Sequence, residues 1–196
     1  EIPINADATS TVSLGALGAS ALGRGGNASG SENAAGGNAL GGTATLTVDG
    51  GVNAQFTAIT LNASAQAGSA LSPSGTSAQS GNASANNVTL TATNGSTINS
   101  TGIVNLFAVG MAIAGENFGT GTGGNVAVNA TAGGTVNTGN RLTIQAMGGS
   151  MSTATGQSAG DGIGGNVTFL ADGGTIRAGV YDVNVSSNTV NVIGAG

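Results

Sequence analysis

The sequence predicts an all-β fold, a right-handed parallel β-helix of about nine coils with Gly-rich loop insertions on alternate coils, as a single β-solenoid domain over residues 1–196. Three observations predict it. A five-residue phrase of alternating apolar and polar residues recurs nine times, and glycine-led turns follow many of the copies. The composition suits a narrow core, because 38 glycines, 3% aromatics and 6% charged residues leave few large side chains to fill a wide one. Disorder is disfavoured, since disordered chains are depleted in the strand formers that here alternate strictly.

The nine phrases begin at Val12, Ala44, Ile59, Val88, Val104, Val126, Leu142, Val167 and Val183. A strand alternates faces, so the first, third and fifth side chains point inward and the others outward. The second positions, Ser13, Thr45, Thr60, Thr89, Asn105, Ala127, Thr143, Thr168 and Asn184, make a polar outer column if successive phrases stack as neighbours. Successive starts lie 32, 15, 29, 16, 22, 16, 25 and 16 residues apart. The repeating unit is then a pair of coils with one insertion, in a stacked array whose units cannot bury their apolar faces alone. Nine coils predict a body on the order of 40 Å long.

Residues 1–11 read as an N-terminal edge strand, on Ile2 and Ile4, ahead of repeat coils over 12–196. A weaker second strand follows a glycine corner at Gly50-Gly51-Val52-Asn53 and over residues 95–99, 133–137 and 173–177. Met111-Ala112-Ile113 and residues 149–152 take the same place in long coils. Glycine suits such corners because a sharp turn often needs positive φ. Taking 16 as the basic coil, insertions of 16, 13, 6 and 9 residues fall within 24–43, 65–87, 114–125 and 154–166. They read as solvated loops on one edge of the rod, with a binding fringe as the functional alternative. The ends carry no charged plug or capping helix, so both are expected to accept neighbouring strands.

Eight acidic residues against three arginines give a net charge of −5, which disfavours nucleic acid and anionic membrane as partners. No apolar run reaches spanning length, so no membrane insertion is expected. Without His or Cys the usual nucleophile–base pairs are missing, and the chain is read as no enzyme, with no cofactor and no metal. Asp49 and Asp172 fall at turns, and Asp161 and Asp182 near Arg177 read as surface charges. Nine N-x-Ser/Thr sequons, at Asn27, Asn62, Asn82, Asn87, Asn94, Asn99, Asn129, Asn166 and Asn184, are a number that such a Ser- and Thr-rich chain supplies largely by chance. Phe107 and Leu170 occupy outward fourth positions, and Phe118 lies in the insertion that follows Phe107. The three form a candidate contact surface, unless the loop folds back and Phe118 covers Phe107.

The stretch Gly133-Gly-Thr-Val-Asn-Thr-Gly-Asn-Arg-Leu-Thr-Ile-Gln-Ala146, with a weaker echo from Gly173 to Val185, resembles the coil repeat of filamentous-haemagglutinin-type exoproteins, the large repetitive adhesins of bacterial surfaces. The resemblance implies a right-handed β-helix, export to the bacterial cell surface and a part in adhesion or biofilm. The partners it implies are neighbouring solenoid segments or copies of the chain at open ends, and a host surface or glycan. A self-assembling extracellular filament or matrix subunit is the second function class. An ice-binding protein, using the Thr column, is the third.

Overall fold

The structure, a computed structural model of the chain, describes residues 2–4, 10–30, 34–71, 78–113, 119–151, 161–185 and 190–195. Among these residues there is no helix, and the strands form five separate sheets whose ladders run parallel. The largest core cluster lies between two of them. One has six strands: Ile2–Ile4, Ala44–Val48, Val88–Ala92, Val126–Thr131, Val167–Asp172 and Val190–Ala195. The other has a corner limb, with Asn53–Phe56 and Thr97–Ser100, and a return limb, with Ala58–Asn62 and Val104–Phe107. Thr135–Gln145 and Thr175–Asn184 serve both limbs.

The inward pattern holds for the seven phrases from Ala44 to Val167 but not at the two ends, where Leu14 is exposed and Val12, Val183 and Val185 are only partly buried. Leu46, Val88, Leu90, Val104, Leu106, Val128, Leu142, Ile144 and Val167 are wholly buried and pack together. At about 25 cal/mol per Å² of apolar surface, each such side chain stabilises the fold by about 2 kcal/mol. The glycine corners hold too. Gly50 and Gly51, Asn94 and Gly95, and Ala132 and Gly133 form successive pairs at positive φ, a turn in which a Cβ at either place costs energy.

The register differs from the expected one. Successive phrases do not pair; alternate phrases do. Leu46 pairs with Leu90, Leu90 with Val128 and Val128 with Phe169, while Ile59 pairs with Val104 and Val104 with Leu142. Two phrases therefore belong to one turn of chain, on different walls, and the nine phrases make about half as many layers. The shortest turn, from Val167 to its partner Val190, takes 23 residues rather than 16. Sixteen residues carry the chain along two walls only; the third wall and the return to the first need the rest. Six strands at about 4.8 Å give a body about 24 Å long, not 40 Å.

Two phrases are also out of step. Val12 pairs with Ala54 of the corner limb, and Leu17 takes the place opposite Ile59. Val183 pairs with Ile144, so Tyr181 stands opposite Leu142. The expected polar column accordingly splits in two, Thr45, Thr89, Ala127 and Thr168 on one wall and Thr60, Asn105 and Thr143 on another.

The insertions are not plain loops where the structure describes them. They form a thin two-ply fin. One ply is Gly23–Arg24, Ala65–Gln66, Gly110–Ile113 and Gly148–Met151; the other is Ala39–Leu40, Ala83–Ser84, Gly121–Thr122 and Gly162–Ile163. Residues 110–113 and 148–151 thus belong to the fin and not to the corner limb. The fin leaves the body at a neck closed by one backbone bond per layer: Gly42 N–H donates to Ala21 O, Asn86 to Ala63, Gly124 to Ala108 and Gly165 to Ala146, at 2.7–3.0 Å. Its interior holds alanines, with Ala39, Ala65, Ala67 and Ala83 in one cluster and Ala34, Ala70 and Ala78 in another. Between them the plies approach backbone to backbone. A Cβ on Gly68 would overlap the carbonyl oxygen of Gly26, and one on Gly121 would overlap those of Gly149 and Gly110.

Candidate functional site

Hydroxyls and amides cover much of the outer face, and many of the amides satisfy one another. Asn99 Nδ2 donates to Gln55 Oε1 at 2.8 Å and Asn137 Nδ2 to Asn99 Oδ1 at 2.9 Å, one rung per layer. Asn125 and Asn166 continue a second ladder from Asn87, at 3.1 and 3.3 Å. Pairing stabilises each rung by about 1 kcal/mol, and among the described residues no buried side-chain donor or acceptor lacks a partner.

Of the three predicted contact residues, Phe107 and Leu170 lie on different sheets. Phe107 is half-buried on the outer face of the return limb, and Leu170 is half-buried on the outer face of the six-stranded wall, beside Asn129. Phe118 lies outside the described residues. Phe107 does line a groove of about 280 Å³ where the return limb meets the fin, together with Leu22, Gln66, Val109, Met111 and Gln145. Phrase counting found Phe107 but missed the rest. Their common side becomes visible only once the fin is known to be sheet, with Ala65 opposite Gly110 and Gln66 opposite Met111.

The terminal layers form a second candidate surface. Among the described residues, Thr175–Asn184 has a strand neighbour on one side only, as have Thr11–Ser13 and Ala16–Ser20 at the opposite end. Inward-pointing residues there are incompletely covered. Val12, Leu17, Ile176 and Val183 are partly buried against the core, and Tyr181 is 49% exposed, its ring edge-on to Phe169 at 5.8 Å. Both features belong to a sheet edge that can accept another strand.

The acids are scattered. Asp49 caps its own turn by accepting from Gly50 N–H and from Asn94 Nδ2, and Asp182 lies 3.9 Å from Arg141, both side chains about half exposed. Among the described residues no three His, Cys, Asp or Glu side chains come together, and no helix is long and apolar enough to cross a membrane. Comparison with protein-family models, curated proteins and solved structures finds no match to this chain.

Proposed function

We propose that the chain is a β-solenoid module with a structural and adhesive role, a rod segment of a bacterial surface adhesin or biofilm protein that works outside the cell. The observation that carries this reading is the parallel pairing that runs through successive layers, with one register shift between Thr138 and Arg141, and that ends on both sides, among the described residues, in strands with one unpaired edge. Each layer templates the next, so further coils of the same polypeptide extend the rod without a new core. The neutral amide and hydroxyl ladders on the outer face suit a shaft that must stay soluble.

A filament subunit is the second reading, and the corner spacing favours it. Ile176 to Tyr181 at one end and Val12 to Leu17 at the other cover the same two columns with the same five-residue step. A second copy can then dock its first layer on the last layer of another without a bulge.

Sedimentation and electron microscopy of the 196-residue chain test both readings. End-to-end fibres that Tyr181→Lys disperses support the subunit. Monomers that lengthen in proportion when homologous coils are fused to either end support the rod segment. Fused coils that fail to adopt strand structure would sink the templating argument.

A further inference from the structure

The outer amide ladders break at one place. In the column Ser20, Asn62, Phe107, Gln145, Asn184, an aromatic ring stands where an amide would link Asn62 to Gln145. The side-chain amides of Gln145 and Gln66 make no hydrogen bond to a described residue, whereas Asn62 is occupied by Ser64 N–H at 2.9 Å. The result is an apolar centre, Phe107 with Val109 and Met111, flanked by the amides of Gln66 and Gln145 at the concave root of the fin.

We propose that this groove binds a neutral glycan chain lying along the stack, with one pyranose face on Phe107 and hydroxyls bonded to Gln66 and Gln145. A sugar ring has an apolar C–H face and a rim of hydroxyls. An aromatic ring offers flat contact area to the first, and a carboxamide, which both donates and accepts, answers the second. The lining residues carry no charge; Arg24 stands beside Gln66 in the same ply at the Leu22 end, so the floor around Phe107, Val109 and Met111 offers no cation to a phosphate or a uronic acid. From the layer of Leu22 to that of Gln145 the groove crosses three strand spacings, about 14 Å, enough for two or three sugar units. A folded protein partner needs about 800 Å² on each side, far more than such a groove provides. A few oriented polar groups around an apolar floor are the usual make-up of a small-ligand site.

The proposal deepens the adhesive reading, and its test is independent of end-to-end stacking because one chain carries the whole groove. Isotopically labelled protein is titrated with cellotetraose, maltotetraose and chitotetraose while the Phe107 ring and the Gln66 and Gln145 amide resonances are followed. Saturable shifts centred on these residues are expected with at least one of the three. Phe107→Ala then weakens binding about tenfold, and Gln145→Ala about fivefold. Phe107→Gln restores an amide to the column and serves as the folded control, keeping the melting temperature while weakening binding at least as much as Phe107→Ala. No shift with any tetrasaccharide at millimolar concentration overturns the proposal. So does binding undiminished by Phe107→Gln.

Discussion

Leu46 and Leu90 lie side by side in adjacent parallel strands although 44 positions separate them, and the column they begin runs on through Val128 to Phe169. Leu90 is therefore enclosed above and below by other core residues as well as across the core. Thr89, its neighbour in sequence, faces outward between Thr45 and Ala127. Leu90→Asp is expected to cost on the order of 5 kcal/mol, the penalty of a buried unpaired charge, and to unfold the layers around it. Thr89→Asp is expected to stay within about 1 kcal/mol of wild type. Urea titrations of the two variants decide this, and equal losses would mean that the faces are wrongly assigned.

Gly68 and Gly18 give a second pair of opposites. A methyl group on Gly68 meets the backbone of Gly26 and Gly37, while one on Gly18 meets nothing within 4 Å. Gly68→Ala is expected to cost about 2–3 kcal/mol through overpacking that no rotamer relieves. Hydrogen exchange should show the loss concentrated at the fin amides of Gly37 and Gly81, which belong to the same cross-ply chain of bonds. Gly18→Ala should leave exchange rates unchanged. A fin that tolerates Gly68→Ala would not be packed backbone to backbone.

Ala132 holds φ at 48°, in a corner whose equivalents are Gly50 and Asn94. An alanine pays about 1 kcal/mol for that conformation. Ala132→Gly is expected to raise stability by about 0.5–1 kcal/mol, visible as a higher melting temperature. A lower one would indicate that the alanine methyl makes a contact worth more than the strain.

Asn99 is the middle rung of its amide ladder, donating to Gln55 and accepting from Asn137. Asn99→Ala removes both bonds at a half-buried position and is expected to cost about 1–2 kcal/mol. Asn53→Ala, which ends a bond to Gln55 at the margin of the ladder, should cost less than half as much. Chemical denaturation of the two variants compares them, and equal costs would show that the rungs act independently.

The strands of the body, their inward faces and the glycine corners were legible because face alternation and positive φ are written in single residues. Register was not. The phrase Val88-Thr-Leu-Thr-Ala92 states which side chains point inward but nothing about which strand lies beside it. The corners held the missing signal: the glycine turns at Gly51, Gly95, Gly133 and Gly173 number four against nine phrases, and they recur at the interval of a whole turn. The fin was misread for another reason. Gly, Ala, Ser and Asn are the composition of a flexible linker, and they are also the residues that allow two strands to touch without side chains between them, as Gly110 and Gly121 do. Phe107 was singled out correctly as an outward aromatic, yet the groove it floors depends on residues of the fin that no periodicity connected to it.

The parallel register also sets how this molecule responds to load. Hydrogen bonds between layers lie along the stacking direction, so tension applied at the two ends acts on the layers in series and separates them one at a time. Parting the strand at Val88 from that at Val126 gives up one spacing of about 4.8 Å. The stretch of 38 positions from one to the other then extends to on the order of 130 Å of chain. A short stack of this kind absorbs work over a distance many times its own length, shedding single layers while those behind keep their structure as a template for refolding.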